Sequence, residues 1–108
     1  MVTRKHPRFP VSLSSTLVHK DRFRHAGSVL NLSAKGCCVV SIISPFPGMQ
    51  LTMQLHIPGE PKSILIDNAA VRWSGSAGIG LEFLTIAPPH QDRLDRMIQR
   101  LQPKTSLQ

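Results

Sequence analysis

Apolar and polar residues alternate along much of this chain, in short segments separated by turn-forming residues. The clearest alternation lies in residues 49–57, where the odd positions are apolar and the even ones polar. Successive side chains of a strand point to opposite faces, so a period of two predicts a strand with one face on the core and one in water. The apolar positions of this segment are Met49, Leu51, Met53, Leu55 and Ile57.

Five further segments are rich in β-branched and apolar residues and end at turn signals, so each is predicted to be a strand. We expect a polar turn at residues 20–22, which makes the first two strands a hairpin, with Gly27 as a bulge in the second. The fifth strand is expected to bend at Asp67 and Asn68. The five segments are 11–19, 23–30, 37–43, 63–73 and 79–84.

The period changes near the C-terminus, where Leu94, Met97, Ile98 and Leu101 follow helical spacing. This stripe predicts an α-helix at about residues 89–102, with prolines suited to its first positions and Asp92 placing favourable charge in its first turn. Six short strands followed by one helix predict an all-β fold, a small antiparallel barrel spanning residues 11–102 with a C-terminal α-helix.

The composition of the 108 residues is that of one folded domain, and the net charge of +7 predicts an anionic partner. Residues 1–10 are basic and hold Pro7 and Pro10, which disfavour a helix. We therefore predict a flexible N-terminal arm that contributes little to the core.

Several function classes have little support in the sequence. The six acidic residues are scattered, and the five histidines lack metal-ligand spacing, so we expect neither an enzyme nor a metal centre. Cys37 and Cys38 are adjacent, which disfavours a disulfide, and should point to opposite faces of their strand. Without an expected membrane span or signal peptide, the prediction is a cytoplasmic protein.

Binding chemistry is better supported, at two separate segments. Arg4 and Arg8 present planar forks that match a phosphate or the O6/N7 edge of guanine. Asn31 and Ser33 lie in a polar turn that ends at Gly36, which we expect to supply a positive φ before the next strand. Taken alone, the turn can be interpreted as an ordinary β-turn. The arginines alone can be interpreted as part of a solvated basic tail. Together they favour one binding site.

The pair Arg4-x-x-x-Arg8 and Asn31-x-Ser33-x-x-Gly36 resembles the signature of PilZ domains, bacterial receptors for cyclic di-GMP. Residues 71–73 and 78–83 are similar to later strands of the family, which has a six-stranded split barrel and a C-terminal helix. The resemblance implies a cyclic di-GMP receptor without enzymatic activity, which orders its arm on ligand binding and signals to an effector protein. Monomer or weak dimer is expected.

The resemblance also implies residue roles. Arg4 and Arg8 would grip guanine and phosphate, and Lys5 would add attraction for phosphate. The fixed side of the pocket would be formed by Asn31, Ser33 and Gly36, and Trp73 would stack near a base or pack in the core. Asn31 stands where many members carry Asp, and Thr3 where a further Arg often stands, which leaves open whether one ligand or an intercalated pair binds.

Two alternatives remain at the level of sequence. A nucleic-acid-binding barrel would explain the positive charge, although four Phe, one Trp and no Tyr provide few stacking residues. A protein-interaction module could share the fold and bind no ligand. The three hypotheses differ in what Arg4 and Arg8 should contact.

Overall fold

The computed structural model describes residues 7–102, so the predicted site residues Arg4 and Lys5 lie outside the described residues. Six antiparallel strands form a closed barrel in the order β1-β2-β3-β6-β5-β4, and one helix follows them. This confirms the predicted fold class. The elements are β1 (Phe9–His19), β2 (Phe23–Leu32), β3 (Gly36–Ser41), β4 (Gln50–His56), β5 (Ile64–Gly75), β6 (Gly78–Thr85) and α1 (Pro88–Leu101).

Side chains from every second position of the strands point into the barrel and form its core. The alternation predicted for β4 is confirmed, since its odd residues point inward and are buried. Helix α1 adds the buried Leu94, Met97 and Ile98 to the same apolar cluster. The largest fully buried side chains of the strands include Leu17, Leu32, Met53, Leu55, Ile64, Ile66 and Leu81.

A bulge in β2 interrupts the alternation where the strand approaches its end. Val29 pairs with Val39 and Asn31 pairs with Cys38, so two steps along β2 face one step along β3 and Leu30 is the extra residue. Such a residue shifts every following side chain to the other face. Leu32 therefore enters the core, and Asn31 remains on the outer face.

A second bulge has the same effect in β5. Val71 pairs with Leu81 and Trp73 pairs with Gly80, which leaves Arg72 as the extra residue. Val71 is fully buried, and Trp73, which would otherwise follow it into the core, is 44% exposed on the outer face. The two bulges therefore turn Asn31 and Trp73 outward. Strand β5 also has a shift of register at Asn68, near the bend predicted for it.

The predicted bulge at Gly27 is wrong, because this residue pairs in regular register with Ser15 and Ser41. Its small size has another cause. A Cβ on Gly27 would lie 2.7 Å from Cγ2 of Val39 and 2.9 Å from Oγ of Ser15, so the crowded barrel interior requires a glycine.

The two ends of β1 refine the predicted boundaries. The strand begins at Phe9, which pairs with Leu32, so the last two residues of the predicted arm belong to the barrel. At the other end, Lys20 and Asp21 have positive φ values of 52° and 57° and form the tight turn into β2. The predicted hairpin between the first two strands is therefore present.

Helix α1 begins with Pro88, as the sequence indicates, but Asp92 lies beyond the first turn, so its predicted charge effect there is wrong. Arg93, which lies off the apolar stripe of the helix, fastens α1 to the β4–β5 connection. Its guanidinium donates to the carbonyl oxygens of Lys62 and Ser63 and to the carboxylate of Glu60, each within 2.9 Å. Helix α1 is thereby fixed at the end of the barrel that carries this connection.

Candidate functional site

Arg8 lies against the outer face of β2, immediately before the first strand begins. Its Nη1 donates a hydrogen bond of 2.9 Å to Oδ1 of Asn31, and both side chains are partly buried. The backbone brings them together, since Pro10 pairs with Asn31 across the β1–β2 ladder. The structure thus joins the two segments that the sequence predicted to meet.

Charge at this contact is not neutralised by an acidic group. Among residues 7–102, the ion pairs are made by Arg72, Arg93 and Arg100, and Arg8 forms none. Asn31 supplies a neutral oxygen and leaves the positive charge of Arg8 available to an anion. Glu82 pairs with Gly36 across the β3–β6 ladder, but its carboxylate forms an ion pair with Arg72. The distance from Arg72 Nε to Glu82 Oε1 is 2.6 Å.

The Ser33 side chain is committed to the turn between β2 and β3. Its Oγ accepts hydrogen bonds of 3.1 Å from the backbone N–H groups of Lys35 and Gly36, and its hydroxyl faces the Gly36 carbonyl oxygen at 3.2 Å. The residue is 3% exposed. Ser33 therefore fixes the shape of the turn, as short hydroxyl side chains do in such motifs.

Gly36 has a different role from the predicted one. Within the described residues, the glycines with positive φ are Gly48, Gly59 and Gly78, so the expectation of a positive φ at Gly36 is wrong. A Cβ on Gly36 would lie 2.3 Å from the carbonyl oxygen of Leu81, and 3.5 Å from Nη2 of Arg8. The missing side chain lets β3 approach β6 and leaves room for the guanidinium above the strand.

A groove of about 560 Å³ opens on the outer face of the barrel beside the Arg8–Asn31 contact. Its floor includes Cys38, and Trp73 and the β5–β6 turn contribute to its lining. Arg8 is the charged residue among the lining side chains, so the groove combines one cation with a mixed polar and apolar lining. The lining residues are Arg8, Pro10, Leu30, Asn31, Cys38, Trp73 and Ala77.

The indole of Trp73 lies across the adjacent strand β6 at Gly80. A Cβ on Gly80 would lie 2.1 Å from Nε1 of the indole and 2.4 Å from its Cε2, so only glycine allows this position. Of the two positions that the sequence left open for Trp73, the structure shows the outer one. The ring is available at the groove as an aromatic surface.

The two cysteines point to opposite faces of β3, as predicted, but both are buried. Cys37 belongs to the core, where its Sγ lies 3.8 Å from Sδ of Met53, and Cys38 lies under the groove. Burial raises the pKa of the Cys37 thiol to about 12, although the positive charge of Arg8 acts in the opposite direction. Cys37 is therefore a neutral packing residue.

Three further features of the described residues bear on function: a second depression, the grouping of metal-ligating side chains, and the length and apolarity of the helix. A larger depression of about 820 Å³ lies between the β4–β5 connection and the end of α1, and its lining contains no predicted site residue. Residues 7–102 hold no cluster of three or more His, Cys, Asp or Glu that could bind a metal ion. In the same range, no helix has the length and apolarity needed to cross a bilayer.

Sequence reasoning missed Pro10, Leu30, Cys38, Ala77 and Gly80 as parts of the site. Leu30 and Cys38 are apolar strand residues with no local sign of binding chemistry, and alternating patterns do not reveal a bulge. Ala77 lies in a turn whose position over the groove depends on the closed barrel. The one signal present was Gly80, a glycine within a strand, which often marks the close approach of another group.

The chain belongs to the PilZ domain family, whose sequence profile matches residues 3–100. Solved structures with this fold include the Bacillus subtilis inhibitor of motility MotI/DgrA, with a TM-score of 0.73, 23% identity and coverage of 93% of this chain. The chain spans 51% of that protein's length. Curated proteins provide no sequence match.

Two isolated PilZ domains are also similar in structure. The PilZ domain of YcgR from Escherichia coli, solved with cyclic di-GMP, has a TM-score of 0.71 and 15% identity, covering 93% of this chain and 92% of that one. The PilZ domain of CeSA from a cellulose-synthesizing bacterium has a TM-score of 0.69 and 14% identity, covering 88% and 97%. These likenesses show a shared fold.

Proposed function

We propose that this protein is a receptor for cyclic di-GMP that acts by binding and not by catalysis. The observation that carries the proposal is the contact of Arg8 with Asn31 over Gly36, at the edge of a groove that Trp73 also lines. Arg8, Asn31 and Gly36 are residues of the family signature. The YcgR domain, solved with cyclic di-GMP, shares this fold and supports the same ligand here.

The groove has the chemical groups that a guanine nucleotide requires. Arg8 offers N–H donors in a planar fork, which suits either a phosphate or the O6/N7 edge of guanine. Asn31 offers an amide oxygen to the N–H groups of a base, and the exposed indole of Trp73 offers a stacking surface. Ser33 and Gly36 contribute by fixing the turn and by leaving space above β3.

The arm completes the site in this proposal. Because Phe9 and Pro10 already belong to β1, the movable part ends at Arg8. Ligand binding draws the preceding residues, including Arg4 and Lys5, over the groove to contact phosphate and guanine. The closed arm forms a new surface, which an effector protein in the cytoplasm recognises. MotI/DgrA, an inhibitor of motility, shares this fold, which supports a regulatory output here.

Isothermal titration calorimetry with cyclic di-GMP tests the proposal on the wild type, Arg8→Ala and Arg24→Ala. Arg24 is an exposed arginine of β2, so its variant removes the same charge far from the groove. We expect binding by wild type and by Arg24→Ala, and about 10-fold or weaker affinity for Arg8→Ala, since a hydrogen bond to a charged group contributes about 1.5–3 kcal/mol. Equal affinities, or no heat from wild type, would reject the proposal.

A further inference from the structure

The barrel presents unusual apolar surface at the end opposite to α1. The β1–β2 turn and the β3–β4 loop meet there and expose Phe23, Ile42 and Phe46 by 49%, 92% and 68%. Phe46 also lines a cavity of about 170 Å³ at this end, here called the apolar mouth, and exposed apolar groups at such a depression are typical of binding surfaces. Its lining consists of His19, His25, Ile43, Ser44, Pro45, Phe46 and Met49.

The loop that carries Phe46 is held in place by the barrel. Gly48 N–H donates to the carbonyl oxygen of Val71 at 2.7 Å, and Val71 N–H donates back to that of Met49 at 2.8 Å. A further bond of 3.1 Å joins the N–H of Met49 to the carbonyl oxygen of Phe46, and prolines flank Phe46 on both sides. Phe46 is therefore presented to solvent by a constrained backbone, which lowers the entropy cost of binding.

Positive charge borders the apolar mouth on one side. The β1–β2 turn and the start of β2 carry Lys20, Arg22 and Arg24 against the single acid Asp21. The loop 42–49 has no charged residue. The guanidinium carbon of Arg22 lies 5.3 Å from the centre of the Phe23 ring, so the cation extends over the apolar surface. Phenylalanine, methionine and arginine together are typical of protein interfaces, and the charge selects an acidic partner.

We propose that the apolar mouth binds a segment of a partner protein that inserts one large apolar side chain and flanks it with Asp or Glu. A cavity of about 150 Å³ can hold a benzene ring, so the apolar mouth has room for one such side chain. A concave site favours a protein over a lipid surface, because a bilayer has no fixed side chain to fill it. This inference deepens the proposed function by giving the chemistry of the partner, and it places the partner away from the ligand groove.

Selection of phage-displayed random peptides on the full chain tests the inference. We expect enriched peptides to share one aromatic residue or leucine with acidic neighbours. The affinity of a synthetic copy, measured by fluorescence anisotropy, should fall about 10-fold or more in Phe46→Ser and in the Arg22→Glu/Arg24→Glu variant, as for interface anchors. Leu84→Ser, at a 44% exposed residue of β6, is the control and should leave the affinity unchanged.

Arg8→Ala separates this inference from the proposed function, since it should weaken cyclic di-GMP binding and leave peptide binding intact. Failure to enrich any peptide, or an enriched peptide insensitive to Phe46→Ser, would overturn the inference alone. A membrane contact would also overturn it. The result in that case would be that no peptide is enriched, that the wild type binds vesicles with about 30% phosphatidylserine, and that Phe46→Ser abolishes vesicle binding.

Discussion

The guanidinium of Arg8 donates a 2.9 Å hydrogen bond to the side-chain oxygen of Asn31, a residue 23 positions further along the chain. The bond places the last residue before β1 on the outer face of β2, beside the groove. Since the acceptor is a neutral amide, Arg8 is positioned without losing its charge to a carboxylate. The groove thus has an oriented cation at its edge.

Asn31→Asp should strengthen the binding of cyclic di-GMP. A carboxylate would accept from guanine N–H groups in a charge-assisted bond, roughly twice as strong as a neutral one. We expect about 5-fold tighter binding by calorimetry, which corresponds to about 1 kcal/mol. Asn68→Asp adds the same charge on β5 and serves as the control, with little expected change. Weaker binding by Asn31→Asp would show that the charge of Arg8 matters more than the acceptor.

Gly36→Ala should destabilise the fold, because the added methyl group would overlap the carbonyl oxygen of Leu81 at 2.3 Å. The Cβ of residue 36 and the carbonyl oxygen of Leu81 are both fixed by the backbone, so the overlap can be removed only if β3 and β6 move apart. We expect the free energy of unfolding in urea to fall by about 2 kcal/mol. Gly75→Ala is a matched control, since a Cβ there meets no atom within 4 Å. Equal midpoints for the two variants would contradict the close approach described here.

Gly80→Ala should displace the indole of Trp73, which occupies the space that the methyl group needs. Trp73 is the single tryptophan of the chain, so its fluorescence reports the change directly. We expect a shift of the emission maximum to longer wavelength, because the displaced ring gains contact with water. The same variant should bind cyclic di-GMP more weakly, having lost a stacking surface. An unchanged spectrum would place the ring elsewhere.

Stability should fall at alkaline pH because of Cys37. An unfolded thiol ionises near its usual pKa of 9.0, whereas burial raises the folded pKa to about 12. Between these values the unfolded state binds fewer protons, so the free energy of unfolding decreases as pH rises, by up to about 1.4 kcal/mol per pH unit. Urea unfolding at several pH values should show a shallower decrease for Cys37→Ala. Parallel curves would assign the decrease to other groups.

Apolar segments bounded by turn signals were sufficient to predict the six strands, and helical spacing was sufficient to predict the helix. The paired polar motifs and their resemblance to PilZ domains placed Arg8 and Asn31 in one site. Alternation failed where a strand contains an extra residue. The bulges at Leu30 and Arg72 reverse which positions face inward, and neither residue differs from an ordinary strand residue. Their conformation depends on pairing with a distant strand, so the outward positions of Asn31 and Trp73 could not be read from local sequence.

Glycines show the same limit. The sequence suggested a bulge at Gly27 and a special φ at Gly36, because these are common local reasons for glycine. In the structure both residues are glycine because neighbouring strands leave no room for a Cβ. Local preference and steric exclusion predict the same residue type, and only the three-dimensional contacts distinguish them.

The closure of the barrel limits how other proteins can recognise it. Each of the six strands has a hydrogen-bonded neighbour on both sides, since β1 pairs with both β2 and β4. Among the described residues, each strand is paired on both sides along part of its length, which limits the addition of a partner's strand at a sheet edge, a common mode of peptide recognition. Recognition by side chains on the outer face, the turns and the helix is compatible with closure, and its specificity can change by single substitutions that leave the backbone ladder intact.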